Sequence, residues 1–454
     1  MLNHLQATEL FSKYGIQLEG KEYASLDEAA KAIKEGGTYF LKLVSDSEEA
    51  THKTEFGYVA KITNTSDLEE AWDKMTSTAN SHGHTNIRFV LQEARSGHEV
   101  MIGAKRDPIF GFQIIFTPEG GKYAEIFAKV AHPSVRVGRL NAEEALAMIT
   151  EHPLSPKITG ARGEASVDLA VLADLLVKIS RLMEENTEVW AIDLNPVFAH
   201  PQGINLVDAR IETGPVSPVP KKFHTNRNLS VFRHPKRVLA VLASAKSGAV
   251  GDILLKNMAR KVKDICVMLP TGKGRDNLEE MGVPIFDEVP DGCDLLVYAG
   301  IPADAPEIVS KFREKGGKGA AIISSDFSET GNVELEERLR EAAGDMPYTG
   351  PNGLGIYSGS LNTFFIADTI AAYPDTGGSV GLFSQSGGLC LESFCEFLFA
   401  HRVPVNEVLS LGNGSGMSFT EILNSVADNE DVKLTVIHLE GGLKEGEGLE
   451  FIKA

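Results

Sequence analysis

The sequence predicts an α/β protein built in three consecutive segments, on three observations. Short apolar runs, from "TYFLKLV" near the N-terminus to "LTVIHLEG" near the C-terminus, alternate with helical stretches along the whole chain, the pattern of strands covered by helices. The stretch from Thr213 to Lys236, "TGPVSPVPKKFHTNRNLSVFRHPK", is rich in proline and basic residues and has no periodicity, which marks a linker. A second turn-rich break, "YPDTGGS" at 373–379, sets off a further strand-turn-helix pattern. The predicted segments are 1–212, 236–372 and 376–454, with 213–235 joining the first two.

Composition narrows the function classes. The chain has 454 residues, 43% hydrophobic, and a formal net charge of −19, so it carries no electrostatic footprint for nucleic acid. No apolar run reaches membrane-spanning length, and "MLNHLQATELF" lacks the signature of a signal peptide. The expected location is cytoplasmic. Cys266, Cys293, Cys390 and Cys395 form no CxxC pair and are expected to stay reduced and buried.

In the first segment, "VWAIDLNPVFAHPQGINLVDARI" at 189–211 reads as two strands joined by a turn. That places Asn195, just past the end of one strand, near Asp208 on the other. An amide oxygen and a carboxylate so related suit Mg²⁺, a hard ion that takes a few oxygen ligands. An ordinary hairpin with an Asn-Pro turn fits the same residues. Asp193 is either a third polar group or a solvated strand residue. "YFLKLVS" places Lys42 alone on a strand, where a lysine can neutralise nucleotide phosphates, and "FVLQEARSGHEV" reads as a strand followed by a hinge at Gln92 and Glu93. "GARGEASVDLAVLADLLVKISRLM" is an amphipathic helix ahead of the paired strands.

Together these stretches resemble the ATP-grasp domain of the nucleoside-diphosphate-forming acyl-CoA synthetases, relatives of the succinyl-CoA synthetase β subunit, over 1–212. The resemblance implies that Asn195 and Asp208 bind Mg²⁺, that Lys42 contacts ATP phosphates, and that Gln92 and Glu93 hold adenine. Gly120, Gly121 and Glu125 of "TPEGGKYAEI" stand where the family keeps glycines and a glutamate against the nucleotide. His52 matches the family histidine that accepts phosphate near the nucleotide. The turn that holds it ends in Tyr58, where the family has a second glycine; this substitution is expected to narrow the phosphate site or alter its specificity.

The middle segment opens "KRVLAVLASAKSGAVGDILLKNM", a strand, a small-residue loop and a helix. Ser247, Gly248 and Gly251 would let backbone N–H groups face a phosphate there. In "VMLPTGKGRDNLEEMGVPIFDEV", Lys273 sits in a turn and either pairs with a diphosphate or is solvated surface. With "YAGIPADAPEIV", "AAIISSDFSETG" and "YTGPNGLGIYS" in this order, the segment resembles the Rossmann-like CoA-binding domain of the succinyl-CoA synthetase α subunit and its relatives. By that resemblance Lys273 and the Ser247–Gly251 loop hold CoA phosphates, Ile301, Pro302 and Ala303 line the adenine side, and Asn352 lies near the thiol end. Gly353 replaces a family cysteine.

The third segment opens "SVGLFSQSGGLCLESF": a buried strand, a turn presenting Ser384 and Ser386, and a helix beginning near Gly387. The serines are either a nucleophile or a cradle for an anion. A nucleophile elbow needs a histidine and an acid later in the chain, and only His401 and His438 follow. Hydroxyls at a helix N-terminus suit an anion better. "SQSGGL" resembles the start of the phosphohistidine domain of the same family, an incomplete flavodoxin-like domain here. Ser384, Ser386 and Gly387 are then a phosphate cradle, and Glu440 steadies the phosphohistidine. In relatives that histidine follows in a later small-residue loop, and the sequence ends "GGLKEGEGLEFIKA", so a second chain or further sequence is expected to supply it.

The function expected is an ADP-forming acyl-CoA synthetase, an acid–thiol ligase converting acid, CoA and ATP to acyl-CoA, ADP and phosphate through an acyl phosphate and a phosphohistidine. Its cofactors are Mg²⁺, ATP/ADP and coenzyme A; its partners are the nucleotide, CoA, a small carboxylic acid and other protein chains, with no nucleic acid and no membrane. The alternative is a non-catalytic CoA- or nucleotide-binding accessory subunit.

Overall fold

The computed structural model describes residues 1–45, 57–121, 124–127, 129–163, 165–215, 224–365 and 377–454. The chain divides into two compact units, Met1–Pro220 and Lys221–Ala454.

In the first unit a four-stranded antiparallel sheet runs in the order Lys21–Tyr23, Arg88–Glu93, Tyr39–Val44, Val59–Ile62. Alternation along the strands turns Leu41, Leu43, Phe89 and Leu91 to one face, where they share a core with Leu68, Ala71 and Met75 of helix Thr65–Ser81. Asn64 starts that helix by accepting the Asp67 N–H on its side chain. The opposite face carries Phe40, Lys42, Val90 and Gln92, because Lys42 pairs with Val90 and Phe40 with Gln92.

A second sheet in this unit has the order Arg210–Thr213, Val189–His200, His98–Asp107, Gly111–Thr117, Ser134–Val137, and Gly203–Leu206 also pairs with Val189–His200. Helix Leu169–Glu185 buries Leu172, Leu175, Leu176, Ile179, Leu182 and Met183, a spacing of three and four that makes one apolar stripe. It packs in one core with Ile102, Ile114, Phe116, Ile192 and Leu194. Asp168 caps the helix through the Val171 N–H at 3.1 Å.

The second unit holds a six-stranded parallel sheet in the order Ile285–Phe286, Ile265–Met268, Val238–Leu242, Leu295–Ala299, Gly319–Ile322, Tyr348–Thr349. Numbered within the sheet this is 3-2-1-4-5-6, the doubly wound order, and its direction reverses between Val238–Leu242 and Leu295–Ala299. All five residues of Val238–Leu242 are buried, as expected of a strand with helices on both faces. Three further parallel strands, Val405–Ser410, Val380–Ser384 and Leu434–His438, lie in the order 2-1-3 of a flavodoxin-like sheet, and Ile356–Tyr357 adds antiparallel to Val405–Ser410.

The sequence separates these two sheets into domains, yet they share one apolar core: Val238, Leu242 and Ile323 cluster with Leu409, Met417, Phe419 and Ile422. Part of the aperiodic linker is built into this unit as well. Val231 and Phe232 join the core, and Arg233 makes a two-pronged ion pair with buried Glu407 at 2.7 and 2.9 Å. Composition hides this, since Arg233 and Arg227, aimed at the buried carboxylates of Glu407 and Glu421, look like parts of a basic linker.

Gly350, directly after the last strand of the six-stranded sheet, has no room for a side chain. Its φ is +87°, and a Cβ there would be driven into the Ile322 carbonyl oxygen. Gly350→Ala is expected to cost about 1–2 kcal/mol from the left-handed backbone alone, and more from the displaced carbonyl. Thermal unfolding checks this; an unchanged midpoint would contradict the packing described.

Candidate functional site

The first unit brings five of the residues singled out from sequence, Lys42, Gln92, Gly121, Asn195 and Asp208, into two sets of contacts. Lys42 Nζ donates to the Val207 carbonyl at 2.8 Å and lies 4.0 Å from Asp208 Oδ1. Gln92, buried, donates Nε2 to the same carbonyl at 3.2 Å. The backbone N–H of Gly121 donates to Asn195 Oδ1 at 2.6 Å. Gly120 needs to be glycine, for a Cβ would stand 2.7 Å from the Val100 carbonyl oxygen. At Gly121, with φ +62°, a Cβ would collide with the Glu99 carboxylate.

Asn195 and Asp208 are positioned differently from a hairpin turn. Val189–His200 is one continuous strand through Asn195. Arg210–Thr213 pairs with its first half and Gly203–Leu206 with its last residues. The intervening Val207–Ala209 therefore passes alongside residues 194–196, which carries Asp208 past Asn195. Asp193, two residues before Asn195, is exposed on the same face of the strand. Its pKa is raised, first because surrounding protein desolvates the carboxyl and then because the Asp208 carboxylate lies nearby. Two carboxylates that repel each other, with Lys42 and Arg210 offsetting part of their charge and an amide oxygen beside them, form a hard-oxygen set that fits a divalent cation such as Mg²⁺. Among the described residues no group of three His, Cys, Asp or Glu side chains forms a metal-binding cluster; the set here depends on the amide.

Two of the remaining first-unit candidates, Glu93 and Tyr58, are not drawn into this group. The Glu93 side chain turns to the pleat face opposite Gln92 and pairs with Arg95 at 3.3 Å. Tyr58 is buried in the lobe core, edge-on to His84 at 5.7 Å between ring centroids, so its ring fills a core position. Glu125 lies in helix Ala124–Phe127. His52 is outside the described residues.

In the second unit the loops after the parallel strands gather at the reversal of strand order. Ala245 N–H donates to the Lys273 carbonyl at 2.8 Å, and Thr271 Oγ1 donates to the Ala243 carbonyl at 2.6 Å. Lys246, Ser247, Gly248 and Lys273 are exposed there, so a second lysine, Lys246, joins the one found from sequence. A lysine in the small-residue loop after the first strand was the available signal. Two glycines have other duties than facing a phosphate. The Gly248 N–H is taken by Asp252 Oδ2 at 2.8 Å. Gly251 lies inside helix Val250–Ala259, where a Cβ would strike the Ser244 carbonyl. Burial pushes the Asp252 pKa up, but hydrogen bonds from Lys256, the Gly248 N–H and Asn277 prevail and hold it below its ordinary value. Ile301, 43% exposed, Pro302 and Ala303 follow the neighbouring strand Leu295–Ala299.

A hydrogen-bonded chain of loops connects this end to the serine turn. Ser324 Oγ donates to the Gly300 carbonyl at 2.8 Å while its own carbonyl accepts the Asn352 N–H at 2.9 Å. Asn352 is exposed with φ +60°. Buried Gly353 packs so that a Cβ would stand 2.9 Å from the Ser410 carbonyl oxygen, which is why a side chain is absent there. Asn413 N–H donates to the Pro351 carbonyl at 3.0 Å, and Leu411 N–H to the Ser384 carbonyl at 2.7 Å.

At the serine turn the buried Ser384 hydroxyl donates to the Ser386 carbonyl at 2.8 Å and lies 3.4 Å from His438 Nδ1. Ser386 Oγ accepts the Leu389 N–H at 3.3 Å, and the helix begins at Gly387. Ser384 thus shapes the turn, and Ser386 caps the helix. Gln385, overlooked in the sequence, accepts the Glu440 and Gly441 N–H groups on Oε1 at 2.6 and 2.8 Å. It fastens exposed Glu440 beside the serines, between the first and third parallel strands, where open α/β sheets keep their ligand crevice.

Comparison with known proteins agrees with this architecture. Residues 1–213 match the ATP-grasp domain family and residues 377–454 the succinyl-CoA ligase like flavodoxin domain family. Acetate–CoA ligase (ADP-forming) II of Archaeoglobus fulgidus is 28% identical over 460 residues, covering 98% of this chain and 65% of that protein. The β subunit of acetate–CoA ligase (ADP-forming) I of Pyrococcus furiosus is 34% identical over 212 residues, 45% of this chain and 89% of the subunit. The α subunit of the same enzyme is 29% identical over 231 residues, 48% of each chain. An ATP-grasp unit followed by a doubly wound sheet and a flavodoxin-like sheet defines a class of nucleotide-dependent CoA ligases. The chain belongs to the ADP-forming acyl-CoA synthetase family, and it spans 65% of the length of its Archaeoglobus relative.

Proposed function

We propose that this chain provides the nucleotide- and CoA-binding parts of an ADP-forming acyl-CoA synthetase, converting a small carboxylic acid, CoA and ATP to acyl-CoA, ADP and phosphate. The observation that carries the proposal is the run of hydrogen-bonded loops along the C-terminal ends of both parallel sheets in the second unit. One end presents Lys246 and Lys273, suited to a diphosphate; the other presents the helix that starts at Gly387, suited to a phosphoryl group.

In this proposal Lys246, Lys273 and Ser247 hold the CoA phosphates, Ile301–Ala303 border the adenine, and Asn352 lies toward the thiol. The turn at Ser384 and Ser386, with Glu440, receives a phosphorylated histidine. In the first unit Lys42 neutralises nucleotide phosphates, Gln92 and the backbone at Glu93 face the base, and Gly120 and Gly121 give close backbone approach beside Glu125. Asn195 and Asp208 would hold Mg²⁺, with Asp193 adjacent, and the ion would offset charge on the phosphates. His52 enters as a phosphate acceptor on its sequence motif alone. Partner chains fit the proposal, since the Pyrococcus relatives are separate α and β subunits.

The test is CoA binding by Lys273→Ala, measured by titration calorimetry. Loss of one charge-assisted hydrogen bond is expected to weaken CoA by about 1.5–3 kcal/mol. Equal affinity in variant and wild type would make the turn only a turn.

A further inference from the structure

In a parallel sheet of order 3-2-1-4-5-6, a bound dinucleotide sets its diphosphate at the loop after the first strand. Its ribose lies by the end of the second, where an arginine can accommodate a ribose phosphate. Here the second strand is Ile265–Met268, and the turn that follows it leads into Arg275. Gly274, with φ +90°, lies so close to Ala245 and Lys246 that a Cβ would strike their backbone, which fixes Arg275 against the first loop. Arg275 borders a cavity of about 390 Å³ whose walls include Pro270, Thr271, Gly272, Phe286 and Asp287. Its guanidinium stands 3.7 Å from Asp287 Oδ1, and that aspartate is 96% exposed. Such a pair contributes little and is readily exchanged for a phosphate, which the planar guanidinium can grip with two parallel hydrogen bonds.

We propose that Arg275 binds the ribose 3′-phosphate of coenzyme A and so lets the second unit distinguish CoA from dephospho-CoA. The assignment rests on the CoA-binding function proposed above. Lys246 and Lys273 serve the diphosphate; Arg275, two residues beyond Lys273, serves the third phosphate. The apolar and aromatic walls of the cavity border the adenosine on the side opposite Ile301–Ala303.

The test titrates the 454-residue chain and two variants with CoA and with dephospho-CoA, which differ only in that phosphate. Wild type is expected to bind CoA about ten- to a hundredfold more tightly, the value of a charged hydrogen-bond contact. Arg275→Gln is expected to bind both ligands with the affinity that wild type shows for dephospho-CoA. Arg275→Lys should keep part of the preference, having the charge without the fork. If Arg275→Gln binds both and retains the full preference, or if wild type binds both equally, the assignment to Arg275 is overturned while CoA binding stands. Wild type that binds neither ligand would overturn the CoA-binding function and this assignment together.

Discussion

Replacing Arg227 with alanine lowers the unfolding free energy of the second unit by about 3–5 kcal/mol, the cost of stranding a buried charge. Arg227 grips Glu421 with Nε and Nη2 at 2.6 and 2.7 Å, and Nη2 also donates to the Gly416 carbonyl at 2.8 Å. The Glu421 side chain is fully buried and that of Arg227 is 12% exposed. Without its partner the carboxylate keeps the N–H of Arg227 at 3.2 Å but loses its counter-charge. Glu421 lies in helix Phe419–Ala427, whose cap Ser418 donates to the His224 carbonyl at 2.6 Å, so the stretch before the parallel sheet and this helix loosen together. Trp72 and Trp190, the two tryptophans of the chain, both lie in the first unit. Tryptophan fluorescence should therefore keep its transition while the circular-dichroism change from the second unit moves. The double variant Arg227→Met with Glu421→Leu should recover most of the loss. A shift below about 1 kcal/mol in Arg227→Ala would contradict a buried, coupled pair.

Asp208→Ala is expected to weaken Mg²⁺-nucleotide binding by at least about tenfold, since Mg²⁺ relies on one or two protein carboxylates and a charged contact contributes about 1.5–3 kcal/mol. CoA binding should not change. Asp193→Asn separates the charge cost from the binding role. The Asp193 pKa is raised by desolvation and by Asp208, so the folded state holds its proton more tightly than the unfolded state does. Ionisation then costs stability from the ordinary carboxylate range upward. Without Mg²⁺ the Asn variant should be more stable than wild type at neutral pH, and the difference should vanish below the carboxylate range. A variant less stable than wild type at neutral pH without the ion would refute the repulsion between the two carboxylates.

The sequence made the strands and loops of the second unit readable because parallel strands buried on both faces form unbroken apolar runs such as "RVLAVLA". The loops that follow them must carry small or cationic residues if a phosphate is to approach. Lys42 was readable as a strand residue, whereas Gln92 and Glu93, expected in a hinge, lie within the strand Arg88–Glu93; the structure joins Lys42 and Gln92 to the Val207 carbonyl. What stayed hidden depends on long-range contacts. Gln385 reads as a polar turn residue until Glu440, 55 positions later, donates to it. Gly251 and Gly248 match a phosphate-loop pattern, yet one packs a helix on its strand and the other is already bonded to Asp252. Tyr58 stands in a motif that suggests contact with phosphate, whereas its side chain is fully buried in the core under the four-stranded sheet, a long-range packing contact that a local motif does not carry. The continuous strand through Asn195 was likewise concealed by the Asn-Pro pair, a common turn signal.

The central claim is that the nucleotide is bound by residues 1–220 and CoA by residues 221–454 on the side chains named above. Titration calorimetry of wild type, Asp208→Ala and Lys273→Ala, each against Mg²⁺-ATP and against CoA, tests it most directly. The account predicts a clean crossing: Asp208→Ala loses affinity for Mg²⁺-ATP alone, and Lys273→Ala loses affinity for CoA alone. Wild-type affinity for both ligands in both variants, or no binding of either ligand to the wild-type chain, would contradict it.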